Sequence, residues 1–259
     1  MSMENKKQIT PTVVASWKPI RKTNFHLRGF YKNIFRMPTL NDLYYTFIGN
    51  IKLKPEFTNQ YNLGFTYAPI LQNKWLKNIE LQADVYYNEV KNKIVAVPTS
   101  NQFRWTMMNL GMVEIRGLDI AIQTNWELPK QFSIDTRLTY TYQKAQDFTN
   151  PKEEYYGDQI PYIPWHSGSL IINASWQNWD VNYSFIYTGE RYDQRANIPE
   201  NYAPEWYTND ISLSRSFRIR NTLYRLTAEV NNLFNQQFEV VKCYPMPGTN
   251  YKFILTIQI

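Results

Sequence analysis

The sequence predicts an all-β protein, an antiparallel transmembrane β-barrel of about eleven strands. Three observations favour this fold class. Runs of alternating apolar and polar residues fill the chain, the connections between them alternate in length, and 16% of the 259 residues are aromatic. The mean hydropathy is nonetheless only −0.52. Aromatic belts, short apolar bands and a polar lumen together account for such a mixture.

The alternation is clearest in YRLTAEVN, residues 224–231, where even positions are aromatic or apolar and odd positions are polar. Successive side chains of a strand point to opposite faces. A soluble sandwich buries the apolar face, whereas a transmembrane barrel turns it to lipid and lines a wet lumen with the polar face. The alternation by itself leaves both architectures open.

Eleven runs have strand character, and no convincing amphipathic helix lies between them. In chain order they are TPTVVASWKP, FHLRGFYKNIF, QYNLGFTY, IELQADVYYN, FRWTMMNLGMVEIRGLDIAIQTNW, FSIDTRLTYTYQ, SLIINASW, WDVNYSFIYTGERY, TNDISLSRSF, the 224–231 stretch and YKFILTIQI. The fifth run loses its alternation in its first half, so we expect a β-bulge near Gly117.

The connections decide between the two architectures. Short links such as ELPKQ, QN and RIRNT alternate with long ones such as PTLNDLYYTFIGNIKL, QDFTNPKEEYYGDQIPYIP and DQRANIPENYAPE. Short turns on one side and long loops on the other are typical of outer-membrane barrels. Many runs also exceed the roughly five or six residues of a soluble strand and match the roughly 9–11 residues that cross a bilayer.

The apolar face is therefore expected to meet lipid and the polar face a lumen. The last strand places on the lipid side Tyr251, Phe253, Leu255, Ile257 and Ile259. The expected inward charges, which would be costly in a packed core, are Arg28, Lys32, Glu80, Asp84, Asp119, Asp135, Arg137, Arg225 and Glu229.

Composition argues against several other functions. The net charge is +6, but the basic residues are scattered, and no nucleic-acid partner is expected. The single cysteine, Cys243, excludes an internal disulfide, and His26 and His166 are too few and too isolated for a metal site or an activated thiol. We expect no enzyme activity, no catalytic or metal residues and no cofactor. No apolar run is long enough for a transmembrane helix, and the polar start lacks the core of a signal peptide.

Six short motifs resemble, in the right order, segments of the TonB-dependent outer-membrane transporters of Gram-negative bacteria. They are FRMPTLNDLY (35–44), GNIKLKPEFTNQYNLGFTY (49–67), MNLGMVEIRGLDI (108–120), YIPWH (162–166), VNNLFNQQF (230–238) and YPMPG (244–248). Four positions depart from or vary the family pattern: Asn62 stands where Glu is frequent, Asp119 takes the acid position, Thr249 replaces Arg, and Ile259 replaces a terminal aromatic residue.

The resemblance implies the fold of the whole chain. The family closes about 22 strands around a plug, so residues 1–259 are expected to be the C-terminal portion of such a barrel, about half of its strands, with the plug domain absent. Residues 1–8 are expected to be disordered or a truncated strand. Because the chain carries no signal peptide, export of this segment by itself is not expected.

The resemblance also implies a function. The chain would be part of an outer-membrane active transporter for a scarce chelate, such as an iron–siderophore or a cobalamin-type ligand. Its expected partners are outer-membrane lipid, the other barrel half, the plug domain and an inner-membrane energy-coupling complex that acts through the plug. Three alternatives stay open: a passive outer-membrane pore or adhesin barrel, a truncated remnant without function, and a soluble β-rich binding module.

In this family the substrate is held between the plug and the outer loops. The candidate ligand contacts are therefore loop aromatics, which can stack on planar or chelate ligands: Tyr44, Tyr45, Tyr155, Tyr156, Trp206 and Tyr207. The alternative is that these rings form the outer interfacial girdle. Motif residues expected to set turns and register are Gly117, Asn231, Asn232, Pro247 and Gly248.

Overall fold

The computed structural model describes residues 8–99 and 104–258. The strands are β1 (Thr12–Trp17), β2 (Phe25–Arg36), β3 (Glu56–Tyr67), β4 (Leu76–Pro98), β5 (Trp105–Leu128), β6 (Phe132–Asp147), β7 (His166–Trp176), β8 (Trp179–Thr188), β9 (Arg191–Tyr192), β10 (Tyr202–Ala203), β11 (Trp206–Ile219), β12 (Thr222–Asn231), β13 (Glu239–Val241), β14 (Tyr244–Pro245) and β15 (Asn250–Gln258). A short helix α1 spans Leu40–Tyr44, and a 3₁₀ turn spans Pro199–Asn201.

Eleven of these strands form one antiparallel sheet, which confirms the predicted fold class. Its order is β1-β2-β3-β4-β5-β6-β7-β8-β11-β12-β15, so each strand pairs with the next sheet strand along the chain. The sheet is open, with β1 and β15 at its edges. Strands β9 with β10 and β13 with β14 form two small separate ribbons. The predictions for residues 1–7 and Ile259 lie outside the described residues.

The strand register places all nine predicted inward charges on one face, which we call the polar face. Arg28 and Asp84, for example, both lie opposite Gly64 on β3, and Arg28 Nε donates to Asp84 Oδ1 over 3.2 Å. The other, apolar face carries exposed large side chains, such as Leu63 at 66% and Phe253 at 85% exposure. The alternation in the sequence therefore corresponds to two faces of opposite polarity.

The connections sort to the two ends of the sheet as predicted. The turn end holds the links 18–24, 68–75, 129–131, 177–178 and 220–221. The loop end holds 37–55, 148–165, 189–205 and 232–249, and the end of β4 and the start of β5 lie there too. Because consecutive strands are antiparallel, every second connection returns to the same end. All the long, polar and aromatic loops are thereby collected at the loop end.

The bulge predicted near Gly117 is wrong. Pairing of β5 with both neighbours runs without a shift through Gly117, and the register shift of β4 lies between Leu76 and Asn78 instead. The alternation changes because the face that is polar elsewhere becomes apolar toward the loop end. Val113 and Ile115 lie on that face and are buried. Gly117 itself faces Tyr86, whose ring occupies the space that a Cβ at residue 117 would fill.

A small apolar core lies at the loop end of β4, β5 and β6, where the polarity of the face changes. Its buried residues are Val90, Leu110, Val113, Ile115, Ala145 and Ile160. The first five belong to the strands, whereas Ile160 comes from loop 148–165 and covers them. Burial of these apolar side chains stabilises the contact between the loop and the sheet. Among the described residues, no helix has the length and apolarity that crossing a bilayer demands.

Candidate ligand site at the loop end

Gln159 fixes loop 148–165 to the sheet. Its side chain is buried, with 1% exposure, and its Oε1 accepts from the Ala145 N–H over 2.8 Å. Its Nε2 donates to the carbonyls of Gln143 at 3.0 Å and Ile163 at 3.2 Å. One amide side chain thus satisfies three backbone groups, which in a buried place would otherwise be costly.

Loop 189–205 binds loop 148–165 through charged and amide side chains. Arg195 Nη2 lies 2.8 Å from Oδ2 of the buried Asp147 at the end of β6, and its guanidinium stacks over the Tyr155 ring of loop 148–165 at 3.8 Å. Asn197 donates from its backbone N–H to Asp158 over 2.8 Å and from Nδ2 to the Gln159 carbonyl over 3.0 Å. The two loops are therefore joined by directed polar bonds, which specify one relative position.

Loop 232–249 is tied to loop 189–205 by two basic residues. Arg191, only 3% exposed, donates to the carbonyls of Pro204, Glu239 and Val240 at 2.9, 2.7 and 3.2 Å. Lys242 Nζ lies 3.1 Å from Oδ2 of the buried Asp193. Burial lowers the pKa of the Arg191 guanidinium, yet arginine remains protonated in proteins. The buried Arg191 guanidinium therefore connects the β13–β14 ribbon to Pro204, which lies just before β11.

Asn232 shapes the start of loop 232–249. It has a positive φ of 50°, which asparagine tolerates better than most residues. Its Oδ1 accepts from the Gln236 N–H over 2.9 Å, its Nδ2 donates to the Gln236 carbonyl over 2.9 Å, and its backbone N–H donates to Asp210 over 2.7 Å. These bonds form a tight turn, in agreement with the role that its motif predicts.

A cavity of about 490 Å³ lies between loops 189–205 and 232–249. Trp206 and Phe238 stack in its wall with ring centroids 4.7 Å apart. Polar side chains from both loops complete the lining, namely Arg191, Glu205, Gln237, Glu239 and Lys242. A second cavity of about 500 Å³ adjoins it and shares Arg191 and Trp206. Apolar, aromatic walls with a few polar groups are the usual composition of small-molecule sites.

The six predicted loop aromatics are not brought together in one cluster. Tyr44 ends α1 and Tyr45 follows it, and both are exposed in loop 37–55. Tyr155 packs under Arg195, and Tyr156 meets Phe148 edge to face at 5.2 Å.

Trp206 and Tyr207, although adjacent, point to opposite faces of β11. Trp206 lines both cavities, whereas Tyr207 packs on Phe185 of the apolar face with centroids 6.2 Å apart. Of the six candidates, Trp206 therefore lies in a cavity wall, and Tyr207 has the position expected of an interfacial ring.

Sequence reasoning missed Gln159, Arg191, Asn197 and Lys242. Each is an ordinary polar loop residue by type and spacing, and Arg191 lay inside a run predicted as one strand. That run is interrupted at Gly189, whose N–H donates to the His166 carbonyl over 2.8 Å, so β8 ends and β9 begins a separate ribbon. Within residues 8–99 and 104–258, no group of three or more acidic, histidine or cysteine side chains has the geometry to hold a metal ion.

Comparison with known sequences gives a consistent result. The family model for the TonB dependent receptor-like beta-barrel matches residues 2–233. The vitamin B12 transporter BtuB of Vibrio vulnificus strain YJ016 is 25% identical over 234 residues, covering 84% of this chain and 32% of that protein. The BtuB of Photobacterium profundum is 24% identical over 220 residues, with the same coverage. The chain spans about a third of the length of these curated relatives.

Solved structures with the same fold are also transporters and receptors. The unliganded ferric citrate transporter FecA superposes with a TM-score of 0.68 and 14% identity, covering 93% of this chain and 37% of that one. The siderophore receptor PiuA of Acinetobacter baumannii gives a TM-score of 0.67 at 17% identity, covering 95% and 35%. At such identities the likeness establishes the fold alone.

Proposed function

The chain belongs to the family of TonB-dependent receptor-like β-barrels, and we propose that it is part of an outer-membrane active transporter for a scarce chelate. The ligand class is an iron–siderophore or a cobalamin-type complex. The observation that supports this proposal best is the aromatic cavity between loops 189–205 and 232–249, at the end of the sheet that collects the long loops.

The cavity has the size and chemistry to hold a part of such a ligand. Its volume of about 490 Å³ lies within the roughly 300–1,000 Å³ of small-molecule sites. Trp206 and Phe238 offer flat rings for stacking on a planar group. Charged side chains of both signs lie beside them, namely Arg191, Lys242, Glu205 and Glu239. In this proposal, loops 148–165, 189–205 and 232–249 form the outer part of the ligand site.

The remaining partners follow from the family. The apolar face would contact outer-membrane lipid, and the polar face would surround a plug domain in a barrel closed by further strands. Energy would come from an inner-membrane complex acting through the plug. The curated relatives named above are vitamin B12 transporters, which supports a bulky chelate as the class of cargo.

The test is uptake by the native protein that carries this chain, in cells and with a panel of radiolabelled ferric siderophores and cobalamin. We expect one class of chelate to be taken up, and uptake to cease when a protonophore collapses the inner-membrane gradient. Trp206→Ala is expected to weaken binding of that chelate by roughly tenfold, since aromatic stacking and ring burial contribute about 1–2 kcal/mol.

Tyr207→Ala is the matched control, because the residue is adjacent, aromatic and on the opposite face of β11. It should leave affinity near the wild-type value. Uptake that persists without the gradient would indicate a passive pore. Equal losses from the two substitutions would contradict the assignment of the ligand to this cavity.

A further inference from the structure

A groove on the apolar face lies across β11, β12 and β15. It encloses about 490 Å³. Its floor is Ala228, which lies directly opposite Leu213 on β11 and Phe253 on β15. Leu226 and Leu255 continue the walls toward the turn end. The groove exists because the small side chain of Ala228 stands between rows of large side chains. Its width is about that of one extended hydrocarbon chain.

Uncompensated positive charge stands at the turn-side end of this groove. Arg215 lines the groove, and its guanidinium lies over the Trp179 ring, 4.9 Å from the centroid. Arg218, on the polar face of β11, and Arg220, in the turn, follow on the same hairpin, and all three side chains are exposed. Among residues 8–99 and 104–258, none of these three arginines forms an ion pair.

Aromatic rings surround the same place. Phe217 and Tyr224 stack across β11 and β12 with centroids 5.5 Å apart, one cross-strand row beyond Arg215. Tryptophan and tyrosine are enriched at the level of membrane headgroups, and arginine reaches that level while its stem lies along apolar surface. Arg215 is thus placed where a headgroup would lie, and the groove where an acyl chain would lie.

We propose that this groove is a binding site for an anionic phospholipid. The headgroup phosphate accepts hydrogen bonds from Arg215, and one acyl chain lies over Ala228 between Leu213 and Phe253. Arg218 and Arg220 add longer-range attraction. Apart from Thr227 and Arg215 the lining of the groove is apolar, which suits an acyl chain, and the guanidinium of Arg215 complements a phosphate. This inference rests on the proposed membrane location, but not on the identity of the transported ligand.

The experiment uses the native protein that carries this chain, extracted from membranes and depleted of lipid in detergent. Phosphatidylglycerol and phosphatidylcholine with identical acyl chains are titrated separately, and bound lipid is counted by native mass spectrometry. We expect tighter binding of phosphatidylglycerol. Arg215→Gln should weaken it about fivefold, since one basic residue near an anionic headgroup contributes on the order of 1 kcal/mol. Ala228→Phe, at an exposed position, fills the groove and should weaken both lipids.

The matched control is the double substitution Arg21→Gln, Lys22→Gln. It removes two charges from another basic turn at the same end of the sheet, away from the groove, and should leave both affinities unchanged. Folding of each variant is checked by the heat-dependent gel shift of an intact barrel. Equal binding of the two lipids, equal loss in the control, displacement by inorganic phosphate alone, or a second protein covering the groove would each overturn the proposal. Chelate uptake, measured on the same variants, reports separately on the proposed function.

Discussion

Gln159→Ala is expected to detach loop 148–165 from the sheet while the strands stay paired. The substitution removes three hydrogen bonds and leaves the Ala145 N–H and the carbonyls of Gln143 and Ile163 without their partner. At about 1 kcal/mol for each bond, the docked state of the loop loses about 3 kcal/mol. Each 1.4 kcal/mol is a factor of ten, so opening should become roughly 100-fold more frequent.

Hydrogen exchange of backbone amides measures this opening directly. The Ile160 N–H donates to the Ala145 carbonyl over 2.8 Å and is protected only while the loop is docked. We expect peptides that contain Ile160 to exchange roughly 100-fold faster in the variant. Peptides from β11, which pairs with β8 and β12 and gives Gln159 none of its hydrogen bonds to described residues, should exchange as in the wild type.

Lys152→Ala is the control within the same loop, because its side chain is exposed and forms no ion pair with another described residue. It should leave exchange at Ile160 unchanged. If Ile160 in Gln159→Ala exchanged at the wild-type rate in a folded barrel, the reasoning that one amide holds the loop would be refuted. Acceleration throughout the sheet would also contradict it, since the effect would then be global.

Two further predictions concern packing and charge. Gly117→Val should sharply reduce the yield of folded barrel, because its side chain would enter the Tyr86 ring, and Tyr86→Ala in the same chain should restore part of that yield, both read by the heat-dependent gel shift. Arg195→Ala leaves the buried carboxylate of Asp147 unpaired at a cost of about 3 kcal/mol. Loop peptides should then be cleaved faster by protease, and adding Asp147→Asn should slow cleavage again.

Much of the fold was predictable because one physical rule governs most of the sheet. Where one face meets apolar surroundings and the other polar ones, residues must alternate, and the stretch around Leu226 keeps that alternation throughout. Near Val113 the rule changes, since a docked loop covers the polar face there and makes it apolar. The alternation is therefore lost because the surroundings of the strand change. A sequence pattern of period two cannot distinguish this cause from a bulge.

The candidate site was less predictable because its residues act across loops. Trp206 was selected as a loop aromatic together with its neighbour Tyr207. Alternation along a strand puts the two rings on opposite faces, but only the register of β11 with β8 shows which of them lies on the polar face. Arg191 binds carbonyls 13, 48 and 49 residues away along the chain. Such partners depend on how the loops meet at the end of the sheet, and no local pattern encodes them.

The odd number of sheet strands restricts what can close this sheet into a cylinder. Residues 8–99 and 104–258 form a meander of eleven antiparallel strands, so the first and the last of these strands run in the same direction. Two copies related by rotation about the barrel axis would therefore meet through two parallel seams. An inverted copy would restore antiparallel seams, but its loops would face the opposite side of the membrane. Antiparallel closure with all long loops on one side thus requires a complementary sheet that is not a copy, with both edge strands running the other way.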